Sequence, residues 1–369
     1  MNKKIISVFM CGLLLMGSLV GCGGNTTIED KADVNTEAKG EGTEQTEKSE
    51  NEVKINEALA VEKTKVYVSP EWLNSVINNE QNESKDFAIL ECGWGKEEIA
   101  EDYKNGHVPG AMHMNTDNIE SPEKWDLRSG EEMEKLMLDF GITKDTTVIC
   151  YSSKGLSSAD DRVAFAMLWA GVENVKVLDG GLEAWNAKEF ALETTSNKGE
   201  AVESFGVTVP AHPEYILDTE QIKEKLKNDD NFKLVSIRSW AEFVGETSGY
   251  SYIDRAGEPE GAIWGHDTDD GSYADENGNT VDTDVLAKYL AESDVTLENE
   301  LSFYCGTGWR AAVPFLLCYE EGMTNISMYD DGWFVYQNDG ANSVQLGDPK
   351  SDEFEITTVE VLSTDKSRK

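Results

Sequence analysis

The run Leu301-Ser302-Phe303-Tyr304-Cys305-Gly306-Thr307-Gly308-Trp309-Arg310 reads as a short apolar strand ending in a glycine-rich loop, and the apolar run Ala311 to Tyr319 as the helix that follows. A cysteine so placed stands at the carboxyl end of a strand, under the N-terminus of a helix. Loop amides and the helix dipole stabilise a thiolate or a bound anion there. Gly306 and Gly308 let consecutive N–H groups turn inward at φ values that a residue with a Cβ resists. The pattern points to a nucleophilic Cys305 acting on anionic sulfur or phosphorus groups; the plain alternative is a buried cysteine before an ordinary turn. Four residues separate Cys305 from Arg310, one fewer than in the cysteine-dependent phosphatases. The tighter ring suits a single sulfur atom.

Working outward, the loop belongs to the second of two copies of one unit. Gly106-His107-Val108-Pro109-Gly110-Ala111 matches Gly257-Glu258-Pro259-Glu260-Gly261-Ala262 at an offset of 151 residues. Ala170-Gly171-Val172-Glu173-Asn174-Val175 matches Glu321-Gly322-Met323-Thr324-Asn325-Ile326, and Val177-Leu178-Asp179-Gly180-Gly181 matches Met328-Tyr329-Asp330-Asp331-Gly332, at the same offset. Short apolar runs at Phe87 to Leu90, Thr147 to Tyr151 and Val175 to Leu178 recur as Leu234 to Ile237, Leu301 to Tyr304 and Ile326 to Tyr329. Amphipathic segments such as Met133 to Phe140, Val163 to Trp169 and Val285 to Leu290 lie between them. This alternation predicts an α/β fold in which each unit is a mostly parallel sheet flanked by helices on both faces. Binding sites in such folds lie at the carboxyl ends of strands, where Cys305 falls.

The ends of the chain read differently. Lys3 and Lys4, the apolar stretch Ile5 to Val20 and then Gly21-Cys22 predict a lipoprotein signal over residues 1–21, cleaved before a lipid-modified Cys22. Residues 22–63 hold almost no aromatic or branched apolar side chains and read as a disordered acidic tether. The expected location is therefore extracytoplasmic, lipid-anchored to a bacterial membrane, with the lipid as the only membrane link. Of 369 residues, 71 are Asp or Glu and 32 are Lys or Arg, a net charge of −39 that argues against nucleic acid or an anionic membrane surface as partner. A small anionic substrate would meet repulsion at long range, so a site for one must be locally positive.

The paired units, the Gly106–Ala111 and Val177–Gly181 blocks and the six-residue cysteine loop together resemble the tandem-domain rhodaneses, the thiosulfate/3-mercaptopyruvate sulfurtransferases, over roughly residues 64–340. The resemblance implies an inactive N-terminal rhodanese-like domain at 64–190, a linker at 191–213, a catalytic C-terminal domain at 214–345 and a tail at 346–369. Ser152, in Cys150-Tyr151-Ser152-Ser153-Lys154-Gly155, stands where the second unit has Cys305. Glu258 and Glu260 replace the family's His and Pro, and Ser236-Ile237-Arg238 keeps the arginine of the family's Asp-x-Arg while losing the acid.

The implied chemistry is covalent. Cys305 takes the outer sulfur of an anionic donor as a persulfide, and cyanide or a thiol acceptor removes it, in ping-pong fashion. The amides of Gly306, Thr307, Gly308, Trp309 and Arg310 would stabilise the anion. Arg310 would brace the loop or meet an oxyanion, Trp309 would form an apolar wall, and Arg238 and Arg255 would bind the donor. Gly306-Thr307-Gly308 is similar to mercaptopyruvate-using members and Arg310 to thiosulfate-using or single-domain ones; an extracytoplasmic site favours thiosulfate. A binding or sensing lipoprotein without turnover is the competing class. No cofactor is expected. No metal site is expected either: the four histidines lack ligand spacing, and the acidic stretch Asp267 to Asp284 lacks EF-hand spacing and reads as a solvated loop. Cys92 and Cys150 read as buried free thiols, a pairing across neighbouring strands being the alternative, and Cys318 as core.

Overall fold

The computed structural model describes residues 54–153 and 158–364. The signal segment, Cys22 and most of the tether therefore lie outside the described residues.

In the first unit, β1 (Tyr67–Val68), β2 (Phe87–Gly93), β3 (Met112–Asn115), β4 (Thr147–Tyr151) and β5 (Asn174–Leu178) form a parallel sheet in the order β1-β5-β4-β2-β3. In the second, β6 (Ile216–Leu217), β7 (Phe232–Ser236), β8 (Glu258–Pro259), β9 (Ile263–Trp264), β10 (Glu300–Tyr304) and β11 (Ile326–Tyr329) follow. Here the parallel order is β6-β11-β10-β7-β9. The two orders are the same pattern, as the repeat requires. Central strands are the apolar runs legible in the sequence. The edge strands β1, β6 and β9 have two residues each, too short to leave a periodic signal, and short edges limit strand-to-strand association.

Two readings need correction. The Ala159–Ala170 helix, containing the segment read as amphipathic, is buried at all twelve positions. Its outer face packs on the equivalent Trp309–Glu320 helix, where the rings of Phe165 and Phe315 meet edge-on at 4.8 Å. One apolar cluster thus runs through both units, while Trp72 and Trp185 anchor the far face of the first sheet and Trp333 and Tyr304 that of the second. The residues read as a tail begin inside a third sheet, in which β12 (Ser343–Leu346) pairs antiparallel with β8 and with β13 (Glu355–Thr358). The linker is pinned to the first unit by paired backbone hydrogen bonds between His107 and Glu193, both 2.9 Å.

Candidate active site

Register carries Cys305 to its place. Tyr304 ends β10 directly opposite Ser236, the last residue of β7, so Cys305 and Arg238 both emerge at the carboxyl edge of the sheet. Gly308 caps the Trp309–Glu320 helix at φ +92°, and a Cβ there would come within 2.7 Å of Arg162 Nη1. Both constraints demand glycine. The Gly308 amide donates to Cys305 Sγ at 3.2 Å, and the sulfur is buried. Other amides serve the loop instead. Gly306 N donates to the Tyr250 hydroxyl at 3.3 Å, while Trp333 N and Phe334 N donate to the carbonyls of Cys305 and Gly306 at 2.9 and 3.0 Å. Of the five amides expected to serve the sulfur, Gly308 is the donor observed among the described residues.

Arg310 turns inward from the first turn of this helix. It donates to Glu242 at 2.9 and 3.0 Å, to Asp267 at 2.7 Å and to the Tyr250 hydroxyl at 2.5 Å. Burial works against its charge, but Tyr250, Glu242 and Cys305 hold it protonated well above the ordinary value. Ser239 begins a capping box with Glu242, which fixes that carboxylate between Arg310 and Arg238. Burial pushes the Glu242 carboxyl up, yet the two guanidinium groups outweigh it and bring it down to about 2. Asp267, read from sequence as part of a solvated loop, is buried as the second counter-ion.

Arg238 and Arg255, expected to bind the donor, are both engaged by other groups of the chain. Arg238 is fully buried, with its fork spent on Glu258 at 2.8 Å and on the carbonyls of Gly257 and Ser248, both at 2.9 Å. Glu258, one of the two departures in the repeated block, also accepts from Ser236 at 2.5 Å and Tyr304 at 2.6 Å. It returns from the neighbouring segment the acid missing at position 236. Arg255 donates to the Val359 carbonyl, just past β13.

The first unit closes the site. A cavity of about 480 Å³ above the loop is lined by Thr307, Trp309, Arg310, Tyr250, Tyr252 and Asp269 of the second unit. Trp94, Asp117, Glu120, Trp125 and Ser158 of the first complete it. Trp309, expected as a wall, is one, and its Nε1 donates to Glu120 Oε1 at 2.8 Å. Trp125 meets Tyr252 edge-on at 4.2 Å and stacks on Phe334 at 5.4 Å. Beneath the wall, Arg162 joins Glu120 at 3.0 Å to Asp330 at 2.6 Å, a buried ion triad spanning the two units. Burial pushes the Glu120 carboxyl up to about 7 against the pull of Arg162.

A family model for the rhodanese-like domain matches residues 69–188 and again 218–339. The chain belongs to the rhodanese-like family. Thiosulfate sulfurtransferase YnjE of Escherichia coli (strain K12) is 39% identical over 290 residues, covering 76% of this chain and 65% of YnjE. The chain thus spans less than two thirds of that relative. The 3-mercaptopyruvate sulfurtransferase of the same strain is 25% identical over 276 residues, covering 72% of this chain and 93% of the relative. Among solved structures, YnjE superposes with a TM-score of 0.71 at 36% identity, covering 76% of this chain and 68% of its own. EanB with ergothioneine covalently linked to a persulfide cysteine gives 0.71 at 32% identity, covering 77% and 70%.

Within the first rhodanese-like unit, Ser152 takes the place of the cysteine. Its buried hydroxyl accepts from the Asp160 amide at 3.2 Å, as Cys305 Sγ accepts from Gly308. Lys154 and Gly155 of that loop lie outside the described residues. Cys92, Cys150 and Cys318 are buried free thiols. Sequence reading passed over Glu242, Tyr250, Tyr252, Glu120 and Trp125. The Ser239-x-x-Glu242 capping box was a legible signal for the first; the others come from loops whose meeting is a tertiary event.

Proposed function

We propose that this protein is a thiosulfate sulfurtransferase working through Cys305. The carrying observation is the Cys305 sulfur at the end of β10, hydrogen-bonded by the Gly308 amide beneath the cavity. The thiolate attacks the outer sulfur of thiosulfate; the new S–S bond forms as the old one breaks, and sulfite leaves with its electron pair. Cyanide or a thiolate then attacks the outer sulfur of the persulfide, and the Cys305 thiolate returns. Arg310, neutralised by Glu242 and Asp267, braces the loop and does not act as a free anion anchor. Similarity to YnjE supports thiosulfate as donor. Gly306-Thr307-Gly308 favours 3-mercaptopyruvate as the second reading.

The test is turnover of each donor with cyanide by the chain from residue 54 onward, beside Cys305→Ser. Mass spectrometry reads the gain of one sulfur atom at Cys305. Turnover that survives Cys305→Ser would sink the proposal. A stoichiometric persulfide with no turnover would move the protein to the sulfur-binding or sensing class. We further propose a lipid anchor at Cys22 on an extracytoplasmic face. Radiolabelled palmitate incorporation that vanishes in Cys22→Ala would support it, and unchanged labelling would reject it.

A further inference from the structure

Among the described residues, the lining of the cavity carries more carboxylates than cations. Among the described residues lining it, Arg310 is the one cation, and its fork is already held by two buried carboxylates, Glu242 and Asp267. Asp117, Glu120 and Asp269 also line the cavity, Asp269 with its Oδ2 3.9 Å from Arg310 Nε. Glu120 Oε1 takes both Arg162 and Trp309, whereas its Oε2 carries no hydrogen bond among the described residues. The rest of the wall is aromatic, with Trp125 and Tyr252 from different units meeting at 4.2 Å. An aromatic wall with carboxylates at its edge attracts a cation, through the ring quadrupole and through charge. The net charge of −39 acts in the same direction at long range.

We propose that the sulfur acceptor of this site is a thiol bearing a cationic ammonium group, held by the aromatic wall and the carboxylates while its sulfur reaches Cys305. The inference rests on the persulfide reading above. The acceptor thiolate attacks the outer sulfur of the Cys305 persulfide, and a new S–S bond forms. The bond to Sγ breaks, its electron pair restores the Cys305 thiolate, and the acceptor leaves as its own persulfide. No oxidant or reductant is consumed. The ammonium offsets the repulsion that a thiolate meets among the carboxylates and the persulfide anion.

The test compares thiocholine and cysteamine with neutral 2-mercaptoethanol and anionic mercaptoacetate, using thiosulfate as donor and equal thiolate concentrations, with cyanide as reference acceptor. Binding is measured separately, by calorimetry on the resting protein, for choline and its shape-matched neutral analogue 3,3-dimethylbutan-1-ol. The expected result is a KM for the cationic thiols about tenfold below that for 2-mercaptoethanol, with mercaptoacetate weakest. Choline should bind and compete, and its neutral analogue should not. Added salt should raise KM for thiocholine and lower it for thiosulfate. Glu120→Gln should narrow the cationic preference, and Asp117→Asn, at an exposed position, gives the same readout if the first variant folds poorly. Cyanide turnover without any charge preference, and choline binding no better than its analogue, overturns this inference and leaves the sulfurtransferase intact. Absence of a Cys305 persulfide defeats the sulfurtransferase reading instead. The choline comparison then decides the cation site alone: preferential binding upholds it, and equal binding rejects it.

Discussion

Arg162→Met removes the cation at the centre of the seam between the two units. Its Nη1 and Nε lie 2.6 Å from Asp330 and 3.0 Å from Glu120, and its own exposure is 0%. The two carboxylates, 4% and 8% exposed, would face each other without a counter-charge. Breaking a buried pair in this way costs about 3–5 kcal/mol, a large share of the ~5–15 kcal/mol that holds a typical protein folded. With a urea dependence of ~3 kcal/mol per molar, the unfolding midpoint should fall by about 1 M or more, followed by tryptophan fluorescence. The sign of its pH dependence follows from Glu120. Burial already raises that carboxyl to about 7, and loss of Arg162 raises it further. A group with a raised folded value loses stability as pH climbs above its unfolded value, so the destabilisation should be greater at pH 8 than at pH 6. Asp330→Asn on the Arg162→Met background should recover about 1 kcal/mol or more. A midpoint shift below ~0.3 M at pH 8 would refute the buried triad as the strut of the site.

Gly308→Ala forces an alanine to φ +92° against Arg162, a strain of about 1–3 kcal/mol; persulfide formation on Cys305 should slow at least tenfold while circular dichroism stays native. Glu242→Gln should remove about 3 kcal/mol at pH 7, because a carboxyl held at about 2 contributes stability that is present above its unfolded value near 4.5 and lost as pH falls towards 2. The variant's urea midpoint should accordingly vary less with pH than wild type over that acid range. Arg238→Lys should lower stability by roughly 3 kcal/mol by unmaking a buried fork, yet leave KM for thiosulfate unchanged in the folded fraction; a rise in that KM would restore it as a donor ligand. In wild type, KM for thiocholine relative to 2-mercaptoethanol should rise as pH drops below about 7, where Glu120 takes up its proton, and Glu120→Gln should abolish that dependence.

The sequence by itself determined the repeat, the parallel sheets, the helix that follows Cys305 and the tight loop between them. Each of these is a local pattern: an apolar run, a periodic segment, or glycines where a Cβ cannot fit. It also indicated Trp309 as a wall and Ser152 as the position that lacks a thiol. Tertiary structure decided what the charges do, because an arginine's role depends on which carboxylates reach it from distant segments. Arg238 looked free for a donor until Glu258 folded onto it; Arg310, read as a brace for the loop or a partner for an oxyanion, has its fork closed by Glu242 and Asp267. The third sheet was illegible because β8 has two residues and β12 and β13 four each, and pairing among strands that short is set by neighbours. The cavity itself has no local signature. Trp125, Tyr252, Glu120 and Thr307 meet only because the Ala159–Ala170 and Trp309–Glu320 helices bury against each other, and burial between units is a property of the folded chain.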